Sequence, residues 1–205
     1  MSFLLMLCVA ALIVAHDGPQ QDGDQLWSAS APNSCGGGGG SCSCTAVKAP
    51  ENITVYNYLA VQGANSTTGY NTVQCGEPVT EQPNRYGQTF CFDMPLLLEQ
   101  DLSSKLLGVV QGTFVFISLY ASPATLFVTE TFTLNTSSTP QGTFSATGLE
   151  NVGRVTAKPI TGGTEAFAFL SGVAITTPLS QGVDSNGNFV SWFKYVFTFR
   201  STSCT

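Results

Sequence analysis

Apolar residues in this chain recur at every second position in short runs, and Gly, Pro, Asn and Ser separate the runs. That period puts one row of side chains on each face of an extended strand. It predicts strands over residues 53–61, 88–92, 107–119, 126–135, 141–149, 152–158, 165–176 and 189–200. No segment sustains a helical period with caps at both ends. Hairpin turns are expected over 135–141 and at Asp184-Ser185-Asn186-Gly187, the second carrying an Asn-Gly step. Pro95 is expected to stop the ladder of the strand before it. The fold class that follows is all-β: an eight-stranded antiparallel closed β-barrel, because closure removes exposed edges.

The same alternation assigns faces. On the last strand Phe189, Phe193, Tyr195, Phe197 and Phe199 share one side, interrupted by Ser191. Trp192, Lys194, Val196, Thr198 and Arg200 share the other. Leu126, Val128, Glu130, Phe132 and Leu134 form a second apolar row, in which Glu130 is the exception. A carboxyl there is expected to be desolvated and its pKa pushed upward, which suits proton exchange with a bound ligand. Asp93, in Phe92-Asp93-Met94-Pro95-Leu96, is either a turn-capping carboxylate or a second acid. Residues 113–120 are apolar on both sides, so both faces are expected to be buried, the outer one against another subunit.

Composition narrows the chemistry. The chain has 205 residues, of which 10% are charged, and a pI near 4.5. Its seven basic residues form no cluster, which argues against nucleic acid and against an anionic membrane as partner. The single histidine, His16, lies far from the expected strands, so Ser-His-Asp and Cys-His sets and His-ligated metals are excluded. No dinucleotide or phosphate loop is present. The expectation is a protein with no cofactor and no metal, which does not oxidise its own substrate.

Residues 3–14 are apolar and end at Ala15, too short to span a bilayer, for which about 20 apolar residues are needed. A secretory signal over 1–15 is expected, then a Gly- and Cys-containing linker over 16–50 and one domain over 51–205. Asn52-Ile53-Thr54, Asn65-Ser66-Thr67 and Asn135-Thr136-Ser137 are glycosylation acceptors that agree with export to the extracellular space. Without Cys8, the cysteines left are Cys35, Cys42, Cys44, Cys75, Cys91 and Cys204, an even set that suggests disulfides and leaves many pairings open. Cys75 and Cys91 flank a loop between neighbouring strands and could close it.

Phe92-Asp93-Met94-Pro95-Leu96, Gly108-Val109-Val110-Gln111-Gly112 and Ile160-Thr161-Gly162-Gly163-Thr164 together resemble elements of the plant dirigent family. Phe92-Asp93-Met94-Pro95-Leu96 resembles its Asp-x-Pro-Leu-Thr element, with Leu97 in place of Thr. Gly108-Val109-Val110-Gln111-Gly112 resembles Gly-Arg-x-Gln-Gly, with Val109 in place of Arg. Ile160-Thr161-Gly162-Gly163-Thr164 resembles a Val-x-Gly-Gly-Thr turn, and Phe167 and Gly172 follow where the family's next strand has them, with Ala168 replacing Arg. Ile53-Thr54-Val55-Tyr56 and Gly63-Ala64-Asn65-Ser66-Thr67 resemble the first strand and its glycosylated turn. Where many members carry a His-Asp pair on that strand, this chain has Tyr58-Leu59.

The resemblance implies a secreted, apoplastic barrel that orients phenoxy radicals during lignan- and lignin-type coupling. The radicals would come from an external oxidase, a laccase or peroxidase. It implies a homotrimer, with a dimer as the alternative, and a disulfide tying the termini, with Cys44–Cys204 preferred and Cys42 as competitor. With the first-strand aspartate lost, Glu130 and Asp93 become the candidate acids, and Tyr58, Tyr120, Phe193, Tyr195 and Phe197 the candidate ligand-binding residues. A cell-wall binding or defence protein on the same barrel, and an allene oxide cyclase-like isomerase, are the alternatives.

Overall fold

Alternating apolar rows become strands of one continuous sheet. A computed structural model of the chain describes residues 52–76 and 85–201, all within one compact unit. The strands are β1 (Ile53–Val61), β2 (Thr72–Gln74), β3 (Thr89–Leu97), β4 (Leu106–Phe116), β5 (Thr125–Leu134), β6 (Gly142–Asn151), β7 (Thr156–Gly163), β8 (Leu170–Val183) and β9 (Phe189–Ser201). They close into a barrel, sealed where β9 pairs antiparallel with β1 from Ile53↔Phe197 to Val61↔Phe189. The expected signal segment 1–15, the linker 16–50 and the Cys44–Cys204 pair lie outside the described residues.

Among the described residues the count of eight antiparallel strands is corrected to nine in a mixed sheet. The extra strand is β2, which runs parallel to β1 at Val61↔Thr72 and antiparallel to β3 from Thr72↔Phe92 to Gln74↔Phe90. Three residues are too few to display a period, so only its neighbours reveal it as a strand. Cys75, just after β2, is bonded to Cys91 of β3, with Cα atoms 5.6 Å apart. That disulfide was among the sequence expectations.

Pro95 does not end its strand. β3 continues to Leu97, and Pro95 sits opposite Val109 of β4. The Asp93 N–H reaches the Asn71 carbonyl at 3.0 Å, so Pro95, two residues on, directs its nitrogen to the same side. There the β2–β3 ladder has ended and β1–β3 pairing starts only at Asn57↔Leu96. The missing donor falls in a gap where no acceptor requires it.

Three other boundaries move. β4 ends at Phe116, and beyond it Ile117 and Tyr120 are exposed, so the burial expected on both faces of 113–120 is not found. The strand expected over 152–158 is β7, shifted to Thr156–Gly163, and the one expected from residue 165 begins at Leu170. Between them Glu165–Phe167 forms one 3-10 turn, with left-handed φ values at Glu165 and at Phe169 just beyond it. That turn drives Phe167 into the end of the barrel. A Cβ on Gly163 would lie 2.6 Å from the Thr143 carbonyl and 2.7 Å from Phe167 Cβ, so only glycine lets the turn fold back there.

Phe132, Phe144, Phe167 and Phe197 fill this end and are fully buried. Phe197 lies 4.8 Å from both Phe132 and Phe144, centroid to centroid, and Phe144 stands 4.8 Å from Phe167. Burying each ring contributes about 1.5–3 kcal/mol, with a further increment for such aromatic pairs. One end of the barrel is therefore solid.

Candidate functional site

The other end is hollow. A cavity of about 140 Å³ enters it, walled by Phe90, Phe92, Phe114, Phe116, Phe189 and Phe193. Each projects inward by alternation along β3, β4 or β9. Phe90 and Phe114 stack at 5.0 Å, and Phe92 stands 6.2 Å from Phe114. The cavity opens into a wider mouth shared by Val61, Arg85, Phe90, Phe116, Val152 and Phe189.

Between the hollow and solid ends lies a polar layer. On β5, Leu126 and Val128 line the cavity and Phe132 belongs to the packed rings, so Glu130 stands at the boundary. On β9, Tyr195 occupies the same level, above Phe197 and below Phe193. The Tyr195 hydroxyl donates to Glu130 Oε1 at 2.6 Å. Lys158 Nζ lies 2.9 Å from Glu130 Oε2 and donates to Glu150 Oε2 at 2.7 Å. Glu130 and Lys158 are 2% and 0% exposed, against 14% for the Glu150 side chain. Glu130 Oε2 is closed off from the cavity and has the Lys158 ammonium as its neighbour.

Burial is the largest influence on all three interior groups. It pushes Glu130 upward, and the neighbouring Glu150 adds to this, while Lys158 and the Tyr195 hydroxyl pull the other way; the net direction is up. Burial alone would lower Lys158, but Glu130 and Glu150 together outweigh it and raise it. The Tyr195 phenol is held well above its usual value by burial and then by the charge of Glu130.

Lys158 and Glu150 were not among the sequence candidates. Lys158 was placed at the end of a strand, where its face could not be judged. With β7 running to Gly163, Thr156, Lys158 and Ile160 form one inward row. The β6–β7 ladder reaches only Ala146↔Ile160, and beyond it Lys158 packs beside Gly148, where a Cβ would stand 3.2 Å from the lysine Cγ. The period was the available signal, and the boundary error hid it.

Of the residues proposed from sequence, Glu130, Phe193 and Tyr195 meet at the cavity. The others do not. Phe197 is buried one level below, inside the packed end. Asp93 is exposed on the outer side of β3, where Gln111 Nε2 donates to it at 3.1 Å; this bond spans two strands and is not a turn cap. Tyr58 packs on Trp192 at 5.2 Å on the outer face, because Asn57 and Leu59 take the inward positions of β1. Burial, then the charge of Asp184, raises the Tyr58 phenol. Tyr120 is 87% exposed in the β4–β5 connection. Leu59 lines the cavity, so the expected loss of a first-strand carboxylate leaves an apolar wall. Asn57, one level deeper, is buried and donates to Met94 Sδ at 3.5 Å. Asn52, Asn65 and Asn135 are all exposed. Among the described residues no group of His, Cys, Asp or Glu is arranged for a metal ion.

One end of the barrel is solid, and the other encloses an aromatic cavity. The family is then explicit: residues 51–198 match the Dirigent-like protein family, and the chain belongs to it. Among solved structures it is similar to the pterocarpan synthase dirigent protein PsPTS1, with 25% identity and a TM-score of 0.57 over 73% of this chain and 95% of that one. It is similar in fold to the pterocarpan synthase dirigent protein GePTS1, with 24% identity and a TM-score of 0.57 over 73% of this chain and 90% of that one. A search of curated proteins finds no match.

Proposed function

We propose that this protein is a secreted dirigent protein that gives regio- and stereoselectivity to the coupling of phenoxy radicals of phenylpropanoid type, without oxidising them itself. The observation that carries this reading is the aromatic cavity that ends on a single buried carboxyl layer. A dry cavity near 150 Å³ holds about one benzene-sized ring, so the deep part takes one phenolic ring. The walls then shield that ring on its sides, and the partner must approach from the mouth. Selectivity of this kind arises from proximity and facial bias and needs no reactive side chain. The similarity to PsPTS1, a pterocarpan synthase dirigent protein, supports the placement of defined small-molecule chemistry in such a barrel.

The oxidant in this reading is an external laccase or peroxidase. Glycans on Asn52, Asn65 and Asn135 belong to the same proposal of export. So does a homotrimer, with a dimer as the alternative. Phe127 and Leu149 are direct cross-strand partners on the outer wall and are 40% and 57% exposed, which supports contact with another copy.

The test is coniferyl alcohol coupling by a one-electron oxidant, with and without purified protein, read by chiral chromatography. Enantiomeric excess that grows with protein at unchanged oxidation rate is the expected result. Racemic product at saturating protein sinks the directing role. The alternative then in place is a cell-wall binding or defence protein, which Leu59 favours by leaving β1 without its acid. An isomerase of the allene oxide cyclase kind would instead convert its epoxide with no oxidant present.

A further inference from the structure

The wall of the cavity has a gap in its ladder between β1 and β3. The two strands pair at Tyr56↔Leu97 and Asn57↔Leu96. Toward the mouth they part, and β2 enters between them, at Val61↔Thr72 on one side and Thr72↔Phe92 on the other. Residues 58–60 of β1 and 93–95 of β3 are left without each other as ladder partners. This stretch lies in the cavity wall, because Leu59 and Val61 on one flank and Phe92 and Met94 on the other all line the cavity. A shift of β1 against β3 here changes the shape of the space they enclose.

One residue spans the gap. Asn71 Nδ2 donates to the Tyr58 carbonyl at 2.7 Å, and Asn71 Oδ1 accepts the Ala60 N–H at 2.8 Å. The Asn71 backbone N–H donates to the Ala60 carbonyl and its own carbonyl accepts the Asp93 N–H, both at 3.0 Å. Its carboxamide thus offers β1 the donor and acceptor that a neighbouring strand would offer, while its peptide reaches β3. The Cys75–Cys91 bond ties the far end of β2 to β3. Asn71 is therefore carried on the β3 side, and this part of β1 relies on it for closure. Aspartate has no donor for Tyr58, and alanine has neither group. Asn71 itself is not among the residues that line the cavity. Resting on the directing role proposed above, we infer that Asn71 is a positioning residue for the coupling. It closes the wall, holds Leu59 and Val61 in place against Phe92 and Met94, and so sets the facial bias without touching the ligand.

The test is Asn71→Ala in the full chain, read in two ways. Amide hydrogen exchange reports the gap itself. The Ala60 amide loses its acceptor and exchanges about ten-fold faster, the size of one or two hydrogen bonds. The Asp93 amide accelerates with it, although its acceptor is the peptide carbonyl that the substitution keeps, and the amides of the β3–β4 ladder hold their rates. Acceleration at Ala60 alone overturns the closing role. The second reading is coniferyl alcohol coupling over a range of protein concentrations. Loss of positioning lowers the plateau of enantiomeric excess, whereas a merely less stable fold needs more protein and still reaches the parental plateau. A parental plateau overturns the positioning role and leaves the directing role standing. If the parent itself gives racemic product, the directing role falls, and calorimetry with p-cresol and 2-naphthol decides for Asn71. A gain of 2-naphthol relative to p-cresol in Asn71→Ala upholds the closed wall. An unchanged ratio, or no binding of either ring, overturns it. Should Asn71→Ala not fold, Asn71→Asp, which keeps the acceptor for Ala60, takes its place with the Asp93 amide as the marker.

Discussion

The two ends of this barrel are lined by the same residue type on the same face of the sheet, yet one is filled and the other is empty. At the solid end Phe132, Phe144 and Phe197 close on one another, and the 3-10 turn adds Phe167 from outside the strand order. At the hollow end Phe90, Phe92 and Phe114 also pair, but no loop residue among those described plugs the space they surround. Aromatic content alone therefore does not distinguish a core from a binding site. The difference is whether a neighbouring segment delivers a ring into the gap. The charged layer at Glu130 marks where the one regime changes into the other.

The contrast can be broken most sharply at the solid end. Phe144→Ala removes a ring packed on four others and is expected to destabilise the fold by about 3–5 kcal/mol. Chemical denaturation measures it, and a loss below 1 kcal/mol would show that this end is not tightly filled. Next in size is Lys158→Met, which strips Glu130 of its counter-charge and costs about 3 kcal/mol. The double variant Glu130→Leu with Lys158→Met should recover most of that loss, since it removes both buried charges. If the double variant is the worse of the two, the pair contributes more than its desolvation costs. At the hollow end Phe114→Ala is expected to cost only about 1–2 kcal/mol, because one side of that ring already faces empty space. It should also widen the cavity, so larger phenols bind to the variant better than to the parent.

The smallest effect is a pH dependence of the layer itself. In the fold Tyr195 and Lys158 keep their protons at a pH where the unfolded chain releases them, about 10 for tyrosine and slightly above for lysine. The native state then binds more protons than the unfolded one, so stability falls as pH rises past about 10. Glu130, also raised, has the same sign, and its loss sets in as pH rises above about 4. Melting temperature followed between pH 8 and 11 should decline, with a shallower decline for Tyr195→Phe. Parallel slopes for the two proteins would mean that Tyr195 does not titrate as placed.

Most of the fold could be read from alternation, and the misreadings have local causes. β1, β5 and β9 were placed well because long runs of Val, Phe and Thr leave little choice of register. β2 was missed because three residues carry no period. Pro95 reads as a stop only where its missing N–H is needed, and the gap between β2 and β1 makes it unnecessary. Glu130 stood out as a carboxyl in an apolar row, and the structure places it in that row, buried. Lys158 escaped because its strand was drawn too short, although its alternation with Ile160 was present. Asp93, Tyr58 and Tyr120 were chosen for their chemistry, and the position of their strands and loops leaves all three outside the cavity.

By itself the sequence determined a β-barrel of the dirigent kind, its inward rows and the carboxyl among them, because strand period and face are local properties of the chain. It also determined the absence of an acid at Leu59. Only the tertiary structure decided which aromatic residues enclose a void and which fill one, since that depends on the 3-10 turn and its Phe167. It alone joined Glu130, Tyr195, Glu150 and Lys158, which come from four different strands. Such a meeting is set by the registers of separate hairpins and by barrel closure, and no stretch of sequence contains it.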